Sequence, residues 1–166
     1  MQDRDAAHTS SGGGTLNGLN KATSNDVQVF DYPMRKQAAA TKPLHRILVV
    51  EDDASLASLE AGFLSASGYN AEIASNGELA ILALQQAIPD LVLLDLDLSG
   101  STSGWDVLRV LRTYSRTPVL LTSSAAAVRQ HIRNHGESRS TLDHLPKPYP
   151  MHTLLKRIER MLTIGP

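Results

Sequence analysis

The chain has no cysteine among its 166 residues. That removes disulfides, thiolate metal sites and a cysteine nucleophile together, and it is compatible with a reducing cytoplasm. Aromatic residues make up only 4% against an apolar total of 42%, so any core must be aliphatic. No excess of either charge exists, the formal net charge being −1. Nucleic-acid and membrane surfaces leave a basic excess or a basic stripe, so neither partner is expected from this composition. There is also no apolar run of membrane-spanning length and no N-terminal apolar stretch flanked by positive charge, so a cytoplasmic protein is expected.

Large apolar side chains are scarce over residues 1–44, where Ser, Gly, Asn, Thr and Ala dominate and Ser10-Ser-Gly-Gly-Gly14 occurs. Burial there cannot offset the entropy of ordering, so a disordered N-terminal extension is expected. Val27-Gln-Val-Phe-Asp-Tyr32 is its one apolar exception, readable as incidental or as a segment that pairs with a sheet edge or a partner.

Beyond Lys42-Pro43 the pattern changes. Arg46–Val50 reads as a buried strand that stops at Glu51-Asp52-Asp53. A helix over Ala54–Ser67 is expected to bury Leu56, Leu59, Phe63 and Leu64, with Gly68 as its C-terminal cap. Asn70–Ala74 is a short strand, Asn76-Gly77 a turn, and the next helix is largely buried through Leu79, Ile81, Leu82 and Leu84, ending before Pro89. Leu91–Leu94 is an unbroken apolar run that breaks on Asp95 and then on the small residues Ser99 to Gly104, as a central strand does at a sheet's carboxyl edge. Trp105–Tyr114 is a helix, and Pro118–Leu121 a strand that ends on Thr122-Ser123-Ser124. Ala125 to about His135 is a thinly apolar helix followed by a polar loop, Leu142–Leu145 a strand ending at Pro146-Lys147-Pro148, and Tyr149 to about Leu162 an amphipathic helix through Leu154, Leu155, Ile158 and Met161 or Leu162.

Five strands alternating with five helices imply an α/β fold with a parallel sheet covered on both faces. Right-handed crossovers then bring every strand's carboxyl end to one rim, which collects Glu51, Asp52, Asp95, Ser123 and Lys147. Asp95 alone reads equally well as a cap. Three carboxylates at one rim repel unless a cation sits among them, and with no histidine beside the acids an oxygen-loving ion such as Mg²⁺ or Mn²⁺ suits the set. Lysine and a hydroxyl complete a site for a phosphoryl group, with a carboxylate as nucleophile.

Four ordered stretches, Ile47-Leu-Val-Val-Glu-Asp-Asp53, Asp90-Leu-Val-Leu-Leu-Asp95, Thr117-Pro-Val-Leu-Leu-Thr-Ser123 and Leu145-Pro-Lys-Pro-Tyr149, resemble the receiver domain of bacterial two-component response regulators. The resemblance implies a receiver domain over 45–166 with a flavodoxin-like fold of strand order 2-1-3-4-5. It implies that Asp95 accepts a phosphoryl group from a histidine kinase or phosphotransfer protein, with at most slow autodephosphorylation. Asp52 would hold Mg²⁺ directly, Glu51 through water, and Asp97 through its backbone carbonyl. Ser123 matches the switch hydroxyl, with Thr122 as the alternate one residue away. Lys147 matches the family lysine, followed by a cis peptide at Pro148, and His144 stands at the aromatic switch position. Ser99 and Ser103 depart from the family's proline and glycine, and Gly104 comes one step late, so the loop after Asp95 is one residue longer.

Since the last helix reaches the end of the sequence, the output is expected to lie in a separate effector protein. Two other readings stand beside this one. A receiver-like module could signal without phosphorylation. An aspartate-nucleophile phosphatase of the haloacid dehalogenase type also uses Asp-x-Asp, as in Asp95-Leu-Asp97, but there the pair ends the first strand and further acids follow the lysine.

Overall fold

A computed structural model describes residues 44–124, 128, 132 and 137–164. The N-terminal extension, with Val27–Tyr32, and most of the helix expected over Ala125–His135 lie outside those residues. Five strands, β1 (Arg46–Val50), β2 (Asn70–Ala74), β3 (Leu91–Asp95), β4 (Val119–Ser123) and β5 (Leu142–Pro146), form one parallel sheet in the order β2-β1-β3-β4-β5. The helices around it are α1 (Ala54–Ala66), α2 (Gly77–Gln86), α3 (Gly104–Arg112) and the last helix, α4 (Met151–Ile164). This is the expected flavodoxin-like arrangement.

Both faces of the sheet are covered, which is why its central strands carry continuous apolar runs rather than an alternating pattern. Leu48, Val50, Val92, Leu94, Val119 and Leu121 point to one side, where Ala80 and Leu84 of α2 and Val107, Leu108 and Leu111 of α3 meet them. Ile47, Val49, Leu91, Leu93, Leu120 and Leu145 point to the other, against Ala61 and Leu64 of α1 and Leu154, Ile158 and Met161 of α4. Among the described residues the buried apolar side chains are aliphatic, as the low aromatic content led one to expect.

Two helical faces differ from the sequence reading. In α1 the buried residues are Ala57, Glu60, Ala61 and Leu64, while Leu59 is exposed. In α2 they are Gly77, Ala80 and Leu84, while Leu79 and Leu82 lie in solvent. Both helices put small residues against the sheet, which lets the backbones approach closely and turns several leucines outward. Capping sets the starts. Asp53 accepts from the N–H of Ser55 (2.9 Å) and Leu56 (3.0 Å), and Asn76, expected in a turn, instead caps α2 through the N–H of Leu79 (2.8 Å). Ser103 and Asp106 form a reciprocal capping box at α3.

Candidate functional site

Asp95 is the last residue of β3 and is 2% exposed. Its Oδ1 accepts the N–H of Asp97 at 3.0 Å and its Oδ2 accepts Lys147 Nζ at 2.8 Å. Lys147, just past β5, also donates to Glu51 Oε2 at 2.7 Å, so one ammonium ties the ends of β1, β3 and β5 together. Glu51 is equally buried, and its other oxygen accepts the N–H of Asp53 at 3.2 Å. Asp52 is half-buried and accepts the N–H of Ser99 at 2.9 Å, which links the acidic pair after β1 to the long loop after β3.

The charges respond to this geometry. Burial raises the Glu51 pKa, against the lowering effect of the Lys147 hydrogen bond. Hydrogen bonds from Ser99 hold Asp52 below the ordinary carboxylate range. Burial alone would lower Lys147, but its bonds to Asp95 and Glu51 outweigh that and raise it, so the ammonium stays charged.

Oxygens of Glu51, Asp52 and Asp95 lie within 4.8 Å of one another. An all-oxygen set of three carboxylates, with Asp52 open to solvent, fits a hard divalent cation that keeps several of its own waters. Magnesium or manganese suits it, and among the described residues no histidine belongs to the cluster.

The hydroxyls at the end of β4 divide between the two faces. Ser123 is fully buried on the side of Val119 and Leu121, with its Oγ 3.1 Å from Nε2 of the buried His144 on β5. Thr122 shares the side of Leu120 and sits beside the Tyr149 hydroxyl. In the sheet register Asp95 lies opposite Thr122, and Ser123 opposite Pro146. The Lys147-Pro148 peptide is cis.

Two glycines let neighbouring backbone pack closely on the longer loop between β3 and α3. A Cβ on Gly104 would fall on the carbonyl oxygen of Asp95, and one on Gly77 would fall on Thr102. Glu78 receives the hydroxyls of Ser101 (2.6 Å) and Thr102 (2.8 Å). Gly104 thus lets α3 begin directly against the strand end that carries Asp95, one residue later than the resemblance implied. Gly104→Ala is expected to cost about 1–3 kcal/mol of stability, read by urea unfolding, because backbone rather than a flexible side chain must give way.

Two features escaped the sequence reading. Glu60 of α1, 1% exposed, accepts the Tyr149 hydroxyl, and burial pushes its pKa up to about 7. The helical period showed α1 as apolar at other positions, and nothing local marked Glu60 as inward. Asp97, expected to act through its carbonyl or as the second acid of an Asp-x-Asp pair, instead uses its carboxylate Oδ2 to accept the N–H of Ser124 at 2.7 Å.

A family model described as the response regulator receiver domain matches residues 47–159. The DNA-binding response regulator MtrA of Mycolicibacterium paratuberculosis is 39% identical over 118 residues, 70% of this chain and 51% of MtrA. The transcriptional regulatory protein BaeR of Escherichia coli is 32% identical over 117 residues, 70% of this chain and 48% of that protein. Among solved structures, the receiver domain of NtrX from Brucella abortus superposes with a TM-score of 0.62 at 28% identity, covering 72% of this chain and 99% of that one. The Vibrio cholerae chemotaxis protein CheY4 does so with a TM-score of 0.61 at 25% identity, covering 71% and 98%.

These relatives correct the expectation that nucleic acid plays no part. MtrA is named a DNA-binding regulator, and the chain spans about half the length of the curated relatives it matches. A near-neutral charge over such a stretch describes the stretch's own surface, not the partners of a whole regulator. The same fact removes the ground for placing the output in a separate effector protein. Among the described residues no helix is long and apolar enough to cross a membrane.

Proposed function

The chain belongs to the response regulator receiver domain family, and from that premise we propose that it accepts a phosphoryl group on Asp95 from a histidine kinase or phosphotransfer protein of a two-component system or phosphorelay in the cytoplasm. The observation that carries this is the single ammonium of Lys147 bridging the buried carboxylates of Glu51 and Asp95.

An Asp95 oxygen attacks phosphorus. The bond from phosphorus to the donor's nitrogen breaks as the bond to the carboxylate oxygen forms, and the leaving nitrogen takes up a proton. Lys147, bonded to Asp95, neutralises charge on the transferred group, and the Ser123 hydroxyl donates to another of its oxygens. Glu51, Asp52, Asp95 and the Asp97 carbonyl would hold a divalent cation, Mg²⁺ in the first place, which when bound supplies the remaining neutralisation of charge. The product is an acyl phosphate that is lost slowly by hydrolysis, so the chain is a phosphoacceptor rather than a turnover enzyme.

The added charge draws on the Ser123 hydroxyl, which in this structure is shared with His144. Redirecting Ser123 changes the partner of a β5 side chain and so the surface formed by β5 and α4. The names of the MtrA relatives support a DNA-directed output for a regulator containing this domain.

Incubation with Mg²⁺ and phosphoramidate, followed by intact mass, tests the reading. The expected result is one phosphoryl group on the wild type, none on Asp95→Asn, and none after chelation of the metal. A folded protein that gains no adduct would favour a module that signals without phosphorylation, and continuous release of phosphate at high turnover would favour a phosphatase.

A further inference from the structure

Asp97 is an acid of the rim that stands apart from the three clustered carboxylates. Its main chain is fixed on both sides. Leu96 is buried in the core and Leu98 packs against the same cluster, while the Asp97 N–H donates to Asp95 Oδ1. The side chain between these anchors is exposed, so it turns into water by rotation about its own bonds without any repacking. In this structure one of its oxygens is nonetheless engaged. It reaches across to the next strand end and takes the N–H of Ser124, the residue after the Ser123 hydroxyl.

One peptide N–H at the rim is therefore already bonded to an anion, two residues along the chain from Asp95. A phosphoryl group on Asp95 brings almost two further negative charges to the same rim. Two anions in one site repel, and the N–H can serve only one of them well.

We propose that the Asp97 carboxylate is a placeholder for a phosphoryl oxygen, a positioning residue that holds the Ser124 N–H in the phosphoryl-binding direction and surrenders it when Asp95 is phosphorylated. This rests on the phosphoacceptor reading above. In the resting chain the donor is kept satisfied and aligned; on phosphorylation Asp97 swings into solvent and the donor passes to the phosphoryl group. The cost is competition, since phosphoryl binding must displace an internal anion.

A plain capping role for Asp97 predicts the opposite sign. A cap that merely orders the chain after Ser124 would, when removed, loosen the donor and weaken phosphoryl binding. A placeholder, when removed, strengthens it.

The test is a titration of the whole chain with beryllofluoride, a phosphoryl mimic, at saturating Mg²⁺. The readout is fluorescence of Trp105, the sole tryptophan, in the first turn of α3. Mg²⁺ alone is titrated first, so that a weaker metal affinity in the variants is not mistaken for an effect on the mimic. Asp97→Ala is expected to bind the mimic about tenfold more tightly, the effect of one released hydrogen bond to a charged group. Asp97→Asn, which keeps an acceptor but loses the charge, is expected to fall between Asp97→Ala and the wild type. Phosphorylation by phosphoramidate should accelerate in the same order. Unchanged or weaker binding by both variants overturns the placeholder while leaving the phosphoacceptor intact. A wild type whose response is absent, or is retained in Asp95→Asn, overturns the phosphoacceptor reading and the placeholder with it.

Discussion

Replacing Lys147 by methionine is expected to lower phosphoryl acceptance by about 10²–10³-fold, the loss seen when one preorganised charge partner of a developing anion is removed. The same change separates three quantities that a general loss of folding would move together. The ammonium lies 2.7 Å from Glu51 and 2.8 Å from Asp95, and both carboxylates are almost entirely buried. Without it they face each other uncompensated, and breaking a buried ion pair by removing one partner costs about 3–5 kcal/mol. A divalent cation can take over that compensation. Stability of Lys147→Met is therefore expected to depend on Mg²⁺ far more than the wild type's does, and Mg²⁺ itself to bind more tightly, since a competing positive charge has gone. Thermal unfolding with and without metal, beside the rate with phosphoramidate, measures all three. Tighter metal with slower phosphoryl acceptance supports the account. A variant that accepts phosphoryl groups at the wild-type rate contradicts the role given to Lys147.

A second large effect is expected under the site, at Glu60. This carboxyl lies between α1 and the turn that follows Lys147, with the Tyr149 hydroxyl bonded to it. Burial is the main cause of its raised pKa, the Tyr149 bond works downward, and the nearby charges are Glu51, Lys147 and Asp95. Burial, with the bond to Glu60, raises Tyr149 as well, so the phenol remains protonated and remains the donor.

The ordinary value for Glu60 is 4.5 and the folded value about 7, so between those limits the folded chain binds more protons than the unfolded one. Stability from this group is complete below pH 4.5 and is lost as pH rises through 7. The shift corresponds to about 3 kcal/mol. Glu60→Gln keeps an acceptor for Tyr149 and cannot ionise. Urea unfolding at pH 5 and pH 8 is expected to show a smaller difference for Glu60→Gln than for the wild type, with the variant more stable at pH 8. An equal difference in both proteins would mean that Glu60 does not titrate in this window.

The contrast between Asp95 and Glu60 shows what the sequence could and could not reveal. Asp95 ends an unbroken apolar run, and the same is true of Glu51 after β1, so the carboxyl edge and its acids were visible from hydrophobic pattern alone. Ser123 and Lys147 followed from the next two strand ends. Glu60 sits inside a helix whose most apolar residues, among them Leu59, suggested a different inward face; only packing against the sheet shows that Ala57 and Ala61 are the close neighbours and that Glu60 is carried inward with them. The outward turn of Leu79 and Leu82 in α2 has the same origin, because small residues dock where strands and helices approach most closely. Asp53, the last of three consecutive acids, is taken up by capping α1, a role the sequence left unassigned. The reach of Asp97 to Ser124 joins two strand ends 27 residues apart, a contact that local pattern does not encode.

Phosphorylation is expected to turn the Asp95 carboxylate into an acyl phosphate. Reduction of the phosphorylated chain with borohydride, followed by peptide mass analysis, locates that bond, because hydride converts an aspartyl phosphate to homoserine. Homoserine at position 95 and at no other carboxyl is the predicted result. Hydride incorporation at a different residue, or a phosphoryl group that survives reduction intact, would contradict it.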